Sequence, residues 1–203
     1  MASSPTSVMS TNHDLVLASA SPRRRDLLTQ IGVRFVIQAA DIDERQREAE
    51  SPASYVSRLA LKKAEVGFGR QDGILPVLGA DTIVVCNGEI LGKPESCAES
   101  FAMLQVLSGT THEVFSAVAL TDGHQSEVRL AQTQVTFRII SAEDSLKYWH
   151  SGEPKGKAGG YAIQGLGAVF VERLEGSYSG VVGLPLMETE TLLRRFNVSR
   201  WHG

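Results

Sequence analysis

The stretch Val77-Leu78-Gly79-Ala80-Asp81-Thr82-Ile83-Val84-Val85-Cys86 is an apolar run interrupted by one carboxylate, and Asn87-Gly88 ends it. The run reads as a strand over 75–86. Asn-Gly is a strong signal for a type I′ hairpin, which returns the chain through 89–91. An ionised aspartate inside such a strand is costly to bury unless a cation or hydrogen-bond donors receive it. Asp81 is therefore the first functional candidate. Lys93 follows the hairpin, and Pro94 stiffens the backbone there, so its side chain can lie near Asp81. A turn lysine in water is the alternative for Lys93, and a carboxylate capping a neighbouring loop is the alternative for Asp81.

Strand and helix patterns alternate along the chain. A short apolar strand over 14–18 leads into Ser19-Ala20-Ser21-Pro22 and a helix to about Ile31. Ser21 suits its N-cap, Pro22 the first helical position and Gly32 the stop. A second strand over 33–39 ends in the acidic turn Asp41-Ile42-Asp43-Glu44, and Ser51-Pro52 opens a longer helix to about Phe68. Ser96 with Glu99 forms a capping box for a helix ending near Gly109. Strands over 111–120 and 127–140 pair around Asp122-Gly123, and Ser141 caps a helix to about His150. Residues 151–167 hold six glycines with Lys155 and Lys157 and read as a structured loop. A strand over 168–174 and a helix from Pro185 to about Phe196 complete the pattern, which predicts an α/β fold with one mixed sheet flanked by helices. No repeat or linker divides 14–203, which reads as a single domain, and residues 1–13 read as a disordered leader.

At 203 residues the chain can bury a full core. Its net charge of −3 argues against nonspecific nucleic-acid binding, because no excess of Lys and Arg is present to displace counterions. Cys86 and Cys97 are the only cysteines, without C-x-x-C spacing, which suits a reduced, cytoplasmic protein. Residues 1–13 lack a signal-peptide pattern, and no apolar run approaches the ~20 residues of a membrane span.

Local clusters of cations say more than the total. Arg23, Arg24 and Arg25 occupy a first helical turn, where they oppose the helix dipole unless an anion sits at the N-terminus. At ~100° per residue, Arg24 falls in the middle of the stripe Leu27, Leu28 and Ile31, Arg23 at its edge, and Arg25 away from it. Lys63 likewise falls within the apolar face of Tyr55, Val56, Leu59, Ala60 and Val66. It either snorkels outward or meets a buried anion. The segment 157–165, Lys-Ala-Gly-Gly-Tyr-Ala-Ile-Gln-Gly, lets backbone approach a ligand, and Gln164 carries the donor and acceptor that reading a base edge requires. Such a glutamine also serves simply as a surface side chain. Neither a P-loop nor a G-x-G-x-x-G spacing is present. The five histidines show no metal spacing, and Ser19 and Ser21 have no histidine partner for a hydrolase triad.

Taken together, Leu17-Ala18-Ser19-Ala20-Ser21-Pro22-Arg23-Arg24, Arg58-Leu59-Ala60-Leu61-Lys62-Lys63-Ala64, Gly79-Ala80-Asp81-Thr82, Gly92-Lys93-Pro94, Ala162-Ile163-Gln164-Gly165-Leu166-Gly167 and Gly183-Leu184-Pro185 resemble the Maf nucleotide pyrophosphatases, in the subgroup acting on dTTP and UTP. The likeness runs from about Leu15 to Phe196. It implies a Maf/ITPase-like fold, with an elongated twisted mixed sheet, two lobes and a central cleft. It also implies hydrolysis of a nucleoside triphosphate between its α and β phosphorus, with a divalent cation (Mg²⁺, Mn²⁺ or Co²⁺) as cofactor. By the same resemblance Asp81 is the catalytic proton acceptor, supported by Lys63 and Lys93. Ser19, Arg23, Arg24, Thr82, Gln164 and Lys157 bind substrate, and Arg23, Thr82 and Gln164 select the base. Asp81 and Glu44 are the metal-ligand candidates, and whether Asp81 acts as base or ligand stays open. Gly160, Ala162 and Gly180 depart from the family pattern without removing a polar site residue.

The partner implied is a nucleoside triphosphate, with no nucleic acid and no membrane. A homodimer is a family expectation that no residue pattern carries. House-cleaning of the nucleotide pool is the leading physiological reading. The alternative is a non-catalytic nucleotide sensor of septum formation and cell division, which would bind without releasing pyrophosphate.

Overall fold

The run that carries Asp81 forms β3 (Val77–Cys86), a ten-residue strand buried along nearly all of its length. It runs through the middle of the computed structural model, which describes residues 13–71 and 75–202. The leader expected over 1–13 lies, apart from residue 13, outside the described residues. Before β3 come β1 (Leu15–Leu17), α1 (Pro22–Gln30), β2 (Phe35–Ile37) and α2 (Pro52–Gly69). After it come β4 (Glu89–Leu91), α3 (Cys97–Leu107), β5 (Thr111–Thr121), β6 (Ser126–Phe137), α4 (Ala142–His150), β7 (Val171–Glu175), α5 (Tyr178–Val182) and α6 (Leu186–Arg195).

Local chemistry accounts for most of these boundaries. Ser51, Ser96 and Ser141 cap α2, α3 and α4 by accepting the backbone N–H of Ser54, Glu99 and Asp144. Asn87 and Gly88 both take positive φ, as a type I′ turn requires. Ser21 stands at the N-cap of α1 but makes no capping bond; its own N–H donates to Ser19 Oγ at 3.2 Å. The second strand is shorter than its pattern suggests, because the Val33 N–H closes the end of α1 on Leu28 O. β7 starts at Val171 rather than 168, because Leu166–Phe170 wind into a 3₁₀ turn. The short helix α5 is a further departure, capped by Ser177 through the Gly180 N–H.

One mixed sheet results, in the order β2-β1-β3-β5-β6-β7, with β4 also on β3. β1 runs parallel to β2 and β3, and the remaining pairs are antiparallel. Side chains alternate across β3. Leu78, Ala80 and Val84 join the larger core, with Leu28 of α1, Leu104 of α3 and Leu192 of α6. Ile83 and Val85 pack on the other face against Val56 and Ala60 of α2. Gly79 and Asp81 therefore face α2. A Cβ at Gly79 would lie 2.2 Å from Ala60 O and 2.5 Å from Ala64 N, so only glycine lets α2 sit this close.

The site follows from a break in this sheet. β5 lines one edge of β3 from Val77 to Val85. On the other edge β1 pairs only with Val77 and Leu78, and β4 pairs only with Val84 to Cys86. Residues 80–83 lie between these two partners, and Asp81 and Thr82 are among them. Among the described residues, no helix is long and apolar enough to cross a membrane.

Candidate active site

A cleft opens at this break and reaches both faces of the sheet. Its lining includes Ser21, Arg23 and Arg24 from α1, Lys63 from α2, Asp81, Thr82 and Val84 from β3, and Lys93 after β4. Val114, Gly156, Ala158, Tyr161, Val181, Val182 and Gly183 complete the wall. Arg23, Arg24, Lys63, Asp81, Thr82 and Lys93, six residues from four separate stretches of the chain, thus share one space.

Lys63 meets a buried anion rather than snorkelling. Both Lys63 and Asp81 are only 8 % exposed, and Lys63 Nζ donates to Asp81 Oδ1 at 2.7 Å. The same ammonium lies 2.7 Å from Glu44 Oε1, while Lys93 Nζ is 3.7 Å from Glu44 Oε2. Glu44 thus ties Lys63 to Lys93. Burial disfavours its charge, but the hydrogen bond from Lys63 and the nearby Lys93 and Arg24 hold its carboxyl below the usual range. The Tyr55 hydroxyl donates to Glu44 O at 2.6 Å and holds the acidic turn in place.

On the opposite side, Arg24 Nε donates to Gly183 O at 2.8 Å and its Nη1 to Ser19 Oγ at 3.1 Å. Burial pushes the pKa of Arg24 down, and Asp81 and Glu44 oppose that shift. Arg23 is also lowered by burial, with Tyr148 and Glu153 as its compensating neighbours. Arg25 points away and pairs with Asp26, as its angle on α1 predicts. Thr82 lies on the Gly183 side, with its hydroxyl 3.0 Å from Ser116 Oγ and 3.4 Å from Gly183 O. Ser116 in turn donates to Gly180 O at 2.6 Å. Four cations face two carboxylates, so the cleft carries a positive surplus suited to a polyanion.

Four positions singled out from sequence are absent from the cleft wall: Glu44, which reaches it through Lys63, and Ser19, Lys157 and Gln164. Ser19 is buried behind Arg24. Lys157 is half-buried, and burial together with Arg23 lowers its pKa. Gln164 is exposed, on the segment that leaves the wall at Tyr161. Sequence reasoning assigned nothing to Ser116, to the Gly183 carbonyl or to Glu44's bond to Lys63. Gly183-Leu184-Pro185 was visible as a motif, but its carbonyl could not be foreseen as the acceptor for Arg24.

No group of three or more His, Cys, Asp or Glu able to hold a metal occurs among the described residues. Asp81 and Glu44 nevertheless converge on one ammonium and supply carboxylate oxygens. One or two carboxylates completed by substrate phosphates is a donor set that suits Mg²⁺.

Residues 14–196 match the family model described as Maf-like protein. The chain belongs to the Maf family. Curated Maf relatives named dTTP/UTP pyrophosphatase include one from Saccharophagus degradans, 53% identical over 93% of this chain and 91% of that protein. Another, from Salmonella typhimurium, is 53% identical over 92% of this chain and 94% of that protein. A third, from Hahella chejuensis, is 52% identical over 92% and 94% respectively. The Maf match spans every element from β1 to α6, and so every residue of the cleft wall.

Proposed function

We propose that this Maf protein hydrolyses pyrimidine nucleoside triphosphates, dTTP and UTP first, to the nucleoside monophosphate and pyrophosphate. The observation that carries this reading is the gathering of Arg23, Arg24, Lys63 and Lys93 around Asp81 in one cleft. Positioning and charge neutralisation are the main demands of displacement at phosphorus, and fixed cations meet both. The relatives named dTTP/UTP pyrophosphatase supply the base preference.

In the proposed reaction a water oxygen attacks the α-phosphorus. The bond from that phosphorus to the α–β bridging oxygen breaks, and pyrophosphate leaves with the electron pair. Asp81 acts on the water, as its proton acceptor or as an oxygen ligand of the cation. Arg23, Arg24 and Lys93 take up phosphate charge, and Lys63 keeps Asp81 oriented through their 2.7 Å contact. A divalent cation held by Asp81 and Glu44 would add charge neutralisation and a more acidic water. Arg23, Thr82 and Gln164 are proposed to read the base, with Ser19 and Lys157 supporting the substrate from behind the wall. The stretch 14–203 acts as one unit in this reading, on the free nucleotides of the cytoplasm, in keeping with two free thiols. Such an activity clears the nucleotide pool.

Pyrophosphate release from a panel of triphosphates, with and without Mg²⁺, tests the proposal. Equal amounts of monophosphate and pyrophosphate, fastest from dTTP and UTP, are expected. Binding without turnover, or release of orthophosphate, would overturn it.

A further inference from the structure

The segment 162–167 leaves the cleft wall at Tyr161 and contains Gln164, Gly165, Leu166 and Gly167. It forms no part of the sheet, yet its backbone is anchored at both ends by two side chains from elsewhere. At its start, the Ala162 N–H donates to the Tyr148 hydroxyl oxygen at 3.1 Å. At its end, the Leu166 N–H donates to Glu153 Oε2 at 2.8 Å and the Gly167 N–H to Glu153 Oε1 at 2.9 Å. The Tyr148 hydroxyl donates to Glu153 Oε1 at 2.6 Å and so joins the two anchors. Tyr148 is itself 5 % exposed and stacked edge-on against Phe170.

The glycines of this segment are shaped to the same pair. A Cβ at Gly165 would lie 2.3 Å from Glu153 Oε2, and one at Gly167 would lie 2.6 Å from the Tyr148 hydroxyl. The hydrogen-bond donors to this carboxylate are neutral, so its charge is left over to act on its surroundings. Arg23 and Lys157 are the cations that feel it. One side chain thus bonds the loop bearing Gln164 and also acts electrostatically on Arg23, which lines the cleft.

We propose that Glu153 and Tyr148 are positioning residues for base selection. Together they hold the backbone of 162–167, and with it Gln164, in a fixed setting. This rests on the pyrophosphatase reading and deepens it. Most of the phosphate grip is separate: Arg24, Lys63 and Lys93 make no hydrogen bond to the pair among the described residues, and Arg23 serves both base and phosphate. Loosening the anchor should therefore affect the base and leave the phosphates gripped.

Glu153→Gln keeps the volume but loses the charge and an acceptor for the backbone donors; Tyr148→Phe removes only a hydroxyl and leaves the ring packed. Steady-state pyrophosphate release is measured with dTTP, UTP and dCTP for wild type and both variants, alongside inhibition by inorganic pyrophosphate. Loss of one or two buried hydrogen bonds corresponds to about tenfold in affinity. In Glu153→Gln, KM for dTTP should rise about tenfold while kcat stays within about threefold, and preference for dTTP over dCTP should fall about tenfold. Tyr148→Phe should shift in the same direction by less. Inhibition by inorganic pyrophosphate should change by less than the KM for dTTP. An unaltered preference in both variants, or an equal loss of kcat on every base, overturns the positioning role. A wild type that releases no pyrophosphate from any triphosphate overturns the pyrophosphatase reading instead, and this inference with it.

Discussion

Lys63 Nζ lies 2.7 Å from Asp81 Oδ1 across the seam between α2 and β3. Gly79 makes that contact possible. It stands two residues before Asp81 on the same side of the strand, where any side chain would collide with the backbone of α2 at Ala60 and Ala64. Glu44 reaches the same ammonium from the acidic turn, so a single lysine is shared by two carboxylates. Buried charges persist when they are paired in this way.

Asp81→Asn keeps the shape and removes the charge that acts on water. We expect kcat to fall by about 10²–10⁴, the range for loss of a general base, with little change in nucleotide affinity. Single-turnover pyrophosphate release and calorimetric titration with a non-hydrolysable triphosphate check the two halves. Activity near that of wild type would remove Asp81 from the chemistry.

Lys63→Met leaves Asp81 and Glu44 facing each other without their common cation. Breaking a buried ion pair by removing one partner costs about 3–5 kcal/mol. Urea unfolding at pH 7 should register a loss near the lower end, because Glu44 is half in water. A loss below about 1 kcal/mol would mean the pair behaves like a surface salt bridge.

Gly79→Ala must push α2 away from β3, and overpacking of this kind costs about 1–3 kcal/mol. Gly69→Ala is the control, since nothing lies within 4 Å of its Cβ position at the end of α2. Thermal unfolding should separate the two, with Gly69→Ala neutral or slightly stabilising. The Gly79 variant should also lose activity, because Lys63 and Asp81 move apart.

His112 offers a pH test one side chain behind the cleft wall, bonded to Tyr161. It is 1 % exposed, with Nε2 2.8 Å from the Tyr161 hydroxyl, and burial lowers its pKa from 6.5 to about 4. The unfolded chain takes up this proton near pH 6.5, while the folded chain resists until about pH 4. Stability from this group is therefore complete above pH 6.5 and declines as pH falls from 6.5 to about 4. The full decline is worth about 3 kcal/mol. Urea midpoints of wild type and His112→Gln at pH 7 and pH 5 isolate it. The wild type should lose more than the variant; parallel losses would show that His112 titrates normally.

Chelation by EDTA should abolish turnover, and added Mg²⁺ or Mn²⁺ should restore it. Glu44→Gln should need about tenfold more metal for half-maximal rate, the effect expected on losing a metal-supporting carboxylate. Full activity in EDTA would leave Asp81 to act as a base alone.

The inward setting of Arg24 and Lys63 was legible because helical periodicity places each on its helix's apolar face, and the structure bears out both. The Asn87-Gly88 turn was equally legible, since its residues suit positive φ at both central positions. The absence of a capping bond on α1 was not: Ser21 stands at the N-cap, as its residue type suggests, but its side chain accepts no N–H. Glu153 carries no signal within its glycine-rich loop, because its partners Tyr148, Leu166 and Gly167 are brought to it by the folded path of the chain.

The sequence by itself determined the alternation of strands and helices, the family, and the helix faces on which Arg24 and Lys63 sit, because these depend on residue type and short-range spacing. Only the tertiary structure decided that β1 and β4 leave residues 80–83 uncovered between them. It alone brought Glu44 to Lys63 and anchored the Gln164 segment on Glu153. Those contacts join positions distant in the chain, and their geometry is set by sheet pairing and close packing, which no local pattern records.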